Sequence, residues 1–210
     1  MSEKHRDSRT SILKAAVVEF AKHGLSGARI EHIAARSGFN KALIYRHFGT
    51  REALFDDTLA FKFEQKLAVH EAAPQNLGDT LVYWFDTAAK DPRFLQLLMR
   101  EALDDDGDAL AHEAFRQDYY ARQRKDLERW RDDGQLDPAL PIDALLLLLS
   151  GLVSFPSFFP TLTRLICGTD TEATRDQWRR LLRELARRLA PPKDPSQPAG
   201  EGGAETSRSS

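Results

Sequence analysis

The chain has 210 residues, of which 41% are hydrophobic and 30% are charged, so it is long enough for one or two domains with a buried core. This balance excludes fibrous and wholly disordered proteins, and the single cysteine excludes an internal disulfide or a thiolate cluster for a metal. The net charge is −2, no apolar block reaches the ~20 residues of a membrane span, and no signal peptide is recognisable, so we expect a cytoplasmic protein.

The N-terminal quarter predicts three helices separated by glycines. In the first helix, apolar residues recur at helical spacing until Gly24, where the helix should stop. A short second helix is expected over residues 29–37, and Gly38 follows it where a left-handed backbone costs little. Asn40 is a good N-cap for a third short helix that runs through His47.

The rest of the chain also predicts helices. Thr50 should cap a fourth helix that runs to Pro74, and Pro156 and Pro160 should break a strongly apolar helix. The composition after Pro191 becomes rich in Pro, Gly, Ser and Glu, which predicts a disordered tail over 191–210. The further predicted helices span residues 77–90, 92–103, 108–133, 142–153 and 173–189.

Charge is distributed unevenly along the chain. Residues 1–51 hold 10 Lys and Arg against 4 Asp and Glu, whereas the remaining residues hold 20 against 28. A basic segment on a mildly acidic body is typical of a nucleic-acid-binding module joined to another domain. Small basic segments are also common elsewhere, so charge alone leaves nucleic-acid binding open.

The second and third helices, joined by a turn with glycine and preceded by a longer helix, are typical of a helix-turn-helix unit. Lys41 and Arg46 carry charge for phosphate or guanine contacts, and small Ala42 permits a close approach to the bases. His47 can either donate to a phosphate or hydrogen-bond across the domain, and the sequence leaves both open. The predicted DNA-contacting residues are Arg29, Asn40, Lys41, Ala42, Tyr45, Arg46, His47, Thr50 and Arg51.

The residues around this turn carry a specific resemblance. They include Gly38-Phe39-Asn40-Lys41-Ala42-Leu43-Ile44-Tyr45 and His47-Phe48-Gly49-Thr50-Arg51-Glu52-Ala53-Leu54-Phe55. These runs resemble the signature of the tetracycline-repressor (TetR) family over residues 9–60. The resemblance implies an all-α homodimer with a helix-turn-helix DNA-binding domain over 8–52 and a larger helical ligand-binding and dimerisation domain over 53–190.

Two positions depart from the pattern of that family. Its members commonly have Thr or Ser at the cap of the second helix, where this chain has Ala28-Arg29, so we expect Ser26 or water to supply the cap. Arg51 stands where the family commonly has Lys, which keeps the charge and changes the geometry of a phosphate contact.

The resemblance also implies a small-molecule pocket and a dimer interface in the C-terminal part. Few basic residues lie on apolar faces there, so the sequence favours an apolar or aromatic effector. The predicted pocket residues are Phe63, Trp84, Met99, Tyr119, Ser150 and Phe155. The helix over 142–153 is apolar on nearly all sides, so other helices must pack against more than one of its sides. The predicted interface residues are Leu145, Leu149, Leu152, Trp178, Leu182 and Leu185, and Ser150-Gly151 could border either site.

These features predict a ligand-responsive repressor that binds a pseudo-palindromic operator in nucleoid DNA, with its reading helices about 34–36 Å apart. A helical enzyme or small-molecule binder that does not act on DNA is the second hypothesis. The sequence has no catalytic Ser/His/Asp or Cys/His pattern, P-loop or Rossmann glycines, so we predict no catalytic residue, cofactor or metal. A third hypothesis, DNA binding without an effector, shares the same N-terminal domain.

Overall fold

The computed structural model describes residues 3–104 and 111–192. Within these ranges the chain forms ten helices and no strand, which confirms the predicted all-α class. The helices are α1 (Glu3–Gly27), α2 (Ile30–Ser37), α3 (Lys41–Phe48), α4 (Arg51–Glu71), α5 (Leu77–Lys90), α6 (Arg93–Asp104), α7 (Glu113–Asp132), α8 (Ile142–Phe158), α9 (Pro160–Cys167) and α10 (Glu172–Leu189).

Local backbone chemistry sets the ends of the first four helices. Gly24 interrupts the helical backbone of α1 with a φ of 69°. Gly38 follows α2 with a φ of 78°, in the left-handed region that glycine adopts without steric cost. The side chains of Asn40 and Thr50 accept hydrogen bonds of 2.9 and 3.1 Å from backbone N–H groups three residues later. The predicted end of α2 and the predicted starts of α3 and α4 are therefore confirmed, whereas α1 continues beyond Gly24 to Gly27 and α4 ends at Glu71, before Pro74.

The N-terminal core joins α1, α2, α3 and α4, and a residue of α6 completes it. The buried faces of these helices repeat at helical spacing, so each helix offers one apolar stripe to its neighbours. Because α1 packs against α2, α4 and α6, the first helix connects the helix-turn-helix to the rest of the chain. The N-terminal core includes Ile12, Leu13, Ala16, Phe20, Ile33, Ile44, Leu54, Phe55, Leu59 and Leu97.

The C-terminal part contains two further apolar clusters. The C-terminal core forms where α5 packs between α8 and α10, and it includes Leu77, Leu81, Phe85, Trp130, Leu145, Leu149, Val153 and Leu182. The aromatic cluster connects α4 to α5, α6 and α7 through Phe63, Ala88, Phe94, Leu95 and Tyr119. The proposed domain boundary after residue 52 falls at the start of α4, which runs unbroken from the N-terminal core to the aromatic cluster.

The region around the prolines differs from the prediction. The apolar helix α8 continues through Pro156 to Phe158, and a short helix that was not predicted, α9, begins at Pro160. An interior proline removes one backbone hydrogen bond, which the surrounding packing tolerates here, and proline suits the first position of a helix. The bend between α8 and α9 is 87°.

Other expectations fall partly outside the described residues. The predicted helix over 108–133 begins at Glu113 in the structure, and residues 105–110 lie outside the described ranges. The same is true of residues 193–210 of the predicted tail. No single helix in the described ranges is both long enough and apolar enough to cross a membrane. Within these ranges, one pair of consecutive helices, α8 and α9, reaches that length and apolarity when the two are taken together, but the pair is bent.

Candidate functional site

The exposed face of α3 carries most of the residues predicted to contact DNA. Lys41, Ala42, Tyr45 and Arg46 are exposed, and the Tyr45 side chain is 47% accessible to solvent. The helical period places Ile44 on the opposite face, where it is buried in the N-terminal core. The exposed face of this helix therefore carries one aromatic, one small and two basic side chains, as the predicted DNA contact requires.

An ion pair lies across the helix-turn-helix. The Lys41 ammonium donates a hydrogen bond of 2.6 Å to a carboxylate oxygen of Glu31 on α2. This hydrogen bond raises the pKa of Lys41 above its ordinary value and lowers the pKa of Glu31. Both side chains are exposed, so a DNA phosphate can compete with Glu31 for the ammonium.

The other predicted DNA residues surround this face. Arg29, Asn40 and Thr50 are exposed and Arg51 is half-buried. Asn40 and Thr50 use their side-chain oxygens as helix caps, and the Asn40 side-chain amide N–H groups lie outside that hydrogen bond. Asn40 and Thr50 directly precede α3 and α4, Arg51 is the first residue of α4, and Arg29 directly precedes α2.

His47 occupies a different position from its neighbours on α3. Its ring is half-buried, and Nε2 lies within hydrogen-bond distance, 3.0 Å, of the Ser8 hydroxyl on α1. The ring also lies beside Phe48, with the centroids 5.8 Å apart. The structure therefore gives His47 a contact across the domain, and its contact with DNA stays a prediction.

Glu19 is a buried carboxylate that was not among the predicted functional residues. It accepts hydrogen bonds from the Arg29 backbone N–H at 3.1 Å and from His32 Nδ1 at 3.0 Å. Burial alone would raise the pKa of Glu19, but these two hydrogen bonds and the nearby histidines lower it below its ordinary value. Glu19 thus accepts the backbone N–H of Arg29, the residue that precedes α2 and whose own side chain makes no capping hydrogen bond. Its position on the apolar face of α1, three residues after Ala16, was the signal in the sequence.

A cavity of about 270 Å³ lies among α4, α5, α6, α7 and α8. Three of the predicted pocket residues, Trp84, Tyr119 and Ser150, line it. The lining also includes Lys66, Val69, His70, Thr87, Ala88, Phe94, Leu95, Leu98, Tyr120, Gln123, Leu147, Gly151, Val153, Ser154 and Phe158.

The other three predicted pocket residues lie elsewhere. Phe63 is buried behind the wall, edge-on to Phe94 and Tyr119 with centroid distances of 4.9 and 5.3 Å. Phe155 lies on the outer face of α8, and Met99 is half-buried on α6 outside the cavity lining. The pocket prediction is therefore revised at these positions, because sequence alone does not fix how each helix is rotated.

The cavity has a polar end formed by α4 and α7. Lys66 and His70 are one helical turn apart on α4, and Tyr119 and Gln123 are one helical turn apart on α7. Burial is the main cause that lowers the pKa of Lys66, and the nearby Lys62 ammonium lowers it further, whereas Asp91 acts in the opposite direction. Lys66 and His70 were not predicted, because two polar residues four positions apart are also usual on a solvated helix face.

The predicted dimer residues are mostly packed within their own protomer. Leu145, Leu149 and Leu182 are buried in the C-terminal core, because α5 fills the space between α8 and α10. The half-buried Trp178 stacks on Phe85 of α5, with the centroids 5.9 Å apart. Leu152 and Leu185 are also half-buried.

The exposed apolar residues of α8 and α10 are neighbours of the predicted ones. Leu147 and Leu148 on α8 are 76% and 66% exposed, and Leu181 on α10 is 56% exposed. The candidate interface residues on each helix therefore lie one or two positions along the chain from the predicted ones. The same two helices remain the candidates.

Comparisons with known proteins agree with this architecture. Residues 12–58 match the family model "Bacterial regulatory proteins, tetR family", and residues 76–188 match "Tetracyclin repressor-like, C-terminal domain". The HTH-type transcriptional repressor SCO4008 of Streptomyces coelicolor is 32% identical over 87% of this chain and 94% of its own length. The HTH-type transcriptional repressor NicS of Pseudomonas putida is 36% identical over 46% of this chain and 49% of its own length.

Solved structures share the fold along almost their whole length. The putative transcriptional regulator SCO4942 from Streptomyces coelicolor superposes with a TM-score of 0.69 at 24% identity, covering 85% of this chain and 97% of that protein. A TetR family regulator from Marinobacter aquaeolei gives a TM-score of 0.67 at 18% identity, covering 88% and 97%. The chain belongs to the TetR family and is a DNA-binding transcriptional regulator with an N-terminal helix-turn-helix.

Proposed function

We propose that the protein is a homodimeric repressor that binds a pseudo-palindromic operator and releases it when a small apolar or aromatic molecule occupies the cavity. It would act in the cytoplasm, on nucleoid DNA. The observation that carries this proposal is that α6 contributes to the cavity wall and to the N-terminal core at once. The relatives named as repressors support the direction of the response.

The reading face of α3 would enter the major groove. Lys41 would exchange its Glu31 partner for a phosphate or a guanine, and Arg46 would add a second cation. Ala42 and Tyr45 would lie against base edges and sugar-phosphate. Arg29, Asn40, His47, Thr50 and Arg51 would complete the contact at its rim.

The exposed side of α8 and α10 would form the dimer interface. Leu148 and Phe155 are exposed on one side of α8, and Gly151 lies between them at helical spacing. Gly151 also borders the cavity, and a Cβ placed on it would meet no atom within 4 Å, so no residue of the described ranges covers α8 at this position. Together with Leu181 on α10, these residues would form a self-complementary surface around a two-fold axis.

The helix α6 would couple the cavity to the DNA surface. Phe94, Leu95 and Leu98 of α6 line the cavity, whereas Leu97 is buried in the N-terminal core. At the end of α6, the Arg100 guanidinium donates a hydrogen bond of 3.0 Å to the Lys22 carbonyl on α1. A ligand that binds one position of α6 better than another would therefore shift α1 and change the separation of the two reading helices.

A cavity-filling variant tests this proposal. Ser150→Phe places a bulky ring in the cavity, whereas Thr161→Phe, on exposed α9, is the matched control. Operator binding should persist in both variants, and a compound that releases the wild-type protein should release only the control. Release of Ser150→Phe at the wild-type concentration of compound would contradict the proposed site.

A further inference from the structure

We propose that the cavity binds a small molecule with an aromatic or other compact apolar body and one carboxylate, held by Lys66 and His70. This inference rests on the proposed function, in which the cavity is the effector site. It adds the charge of the effector and the residues that recognise it.

Lys66 places an ammonium group at the wall of the cavity. The neighbouring Lys62 forms an ion pair with Asp91, with its ammonium 2.7 Å from a carboxylate oxygen. Lys66 forms no ion pair with any described residue, and its ammonium lies 5.5 Å from the centroid of the Phe94 ring. A partly buried cation in this position is costly, and a bound anion would offset that cost.

His70 offers a second polar atom on the same face of α4. Its side chain is only 10% exposed, and Nε2 lies 3.2 Å from a carboxylate oxygen of Asp126 on α7. The other ring nitrogen, Nδ1, is buried and has no hydrogen-bond partner in the described part of the chain. A ligand at this end of the cavity would supply the hydrogen-bond partner that Nδ1 lacks.

The other residues that line the cavity determine which charge and which kind of molecular body a ligand must have. The described lining residues include no Asp or Glu, so a cationic ligand would meet Lys66 without any compensating carboxylate. Burial raises the pKa of Tyr119 and of Tyr120, so both hydroxyls stay protonated and can donate. Trp84, Phe94 and other apolar side chains form the remaining wall, and the volume of about 270 Å³ is at the small end for ligand pockets.

A matched series of compounds tests the inference on the full chain by titration calorimetry at neutral pH. Naphthaleneacetate, naphthaleneacetamide and naphthaleneethylamine share one aromatic body and differ in charge. We expect the acid to bind at least about tenfold more tightly than the amide, and the amine to bind most weakly.

Variants of Lys66 assign the preference to its charge. Lys66→Met keeps the aliphatic stem and should bring the acid and the amide to similar affinity, with the amide itself unchanged. Lys66→Arg should retain the preference, and Lys90→Met, an exposed lysine on α5, should match the wild type. Thermal melting of each variant establishes that it is folded.

The possible failures are distinct. An amide that binds as tightly as the acid, or a preference that survives in Lys66→Met, overturns the inference. If the amide or the amine binds and releases the operator, the effector-responsive function stands and only the inference about charge falls. If the acid binds through Lys66 without releasing the operator, the inference holds and the proposed coupling to DNA falls. If no member of the series binds, the inference is overturned.

Discussion

Glu31 on α2 and Lys41 on α3 form an ion pair at the surface that is predicted to contact DNA. Their ion pair is exposed, so it contributes little to stability, but it places a negative charge beside the approaching phosphates. Glu31→Gln removes that charge and frees Lys41, so we expect operator affinity to rise about two- to fivefold. Fluorescence anisotropy with labelled operator measures the change, with Glu71→Gln, exposed at the end of α4, as the control. A weaker or unchanged affinity would mean that Lys41 does not contact DNA.

Glu19 gives the N-terminal domain a specific acid sensitivity. Its folded pKa is depressed, so its contribution to stability is complete above the ordinary value of 4.5 and is lost as the pH falls through the lower folded value. Glu19→Gln should lower the free energy of unfolding at neutral pH by about 1 to 2 kcal/mol and flatten its fall below pH 4.5. Urea unfolding at several pH values checks this. An equally steep acid dependence in the variant would show that other carboxylates cause it.

At the scale of single helices, α4 and α6 each contribute to the cavity and to the N-terminal core, and α6 is also hydrogen-bonded to α1. Arg100→Met removes the hydrogen bond from α6 to the Lys22 carbonyl while leaving the cavity lining intact. We expect operator affinity and effector affinity to stay within about twofold, and the effector-induced loss of operator affinity to shrink by about threefold or more. Measuring operator affinity with and without a releasing compound gives this ratio, and Gln96→Met, exposed on α6, is the control. An unchanged ratio would assign the coupling to α4 instead.

Helix ends were predictable where short-range chemistry determines them. Asn40 and Thr50 cap their helices through hydrogen bonds within three residues, and Gly38 terminates α2, so neighbouring residues contain the whole signal. Pro156 misled the prediction because tertiary packing holds α8 together across a residue that usually ends a helix. The role of Glu19 was not predicted for the same reason, because its hydrogen-bond partners lie outside its own helix.

The functional surfaces also differ in whether neighbouring residues or the packing of several helices determines them. The reading face of α3 follows from the period of one helix and from a family signature, and the structure exposes Lys41, Ala42, Tyr45 and Arg46 together. The cavity and the interface depend on how several helices are rotated against each other. Sequence could therefore place Trp84 in the cavity but not exclude Phe63, and it could not show that α5 covers Leu149.

At the scale of the whole molecule, the proposed dimer gives the protein two reading helices. Leu148→Glu combined with Leu181→Glu places charges on the exposed apolar face of α8 and α10, and these should be excluded from an interface. We expect a folded monomer by light scattering, with operator affinity reduced about 100-fold or more because the half-sites are no longer linked. Leu103→Glu, at an exposed leucine on α6, should remain dimeric. A double variant that stays dimeric would place the interface elsewhere.

Above all, we propose that α3 reads an operator through its exposed face. Genomic fragments bound by the purified protein supply the operator, and its affinity is then measured over a range of salt concentrations for the wild type and for Lys41→Ala combined with Tyr45→Ala. We expect the wild type to select specific fragments and its log affinity to fall linearly with log salt concentration. The double variant should lose specific binding, and the slope of its salt dependence should be smaller than that of the wild type by about 0.9 for each lost phosphate contact. Binding that does not depend on salt, or that is unchanged in the double variant, would contradict the claim.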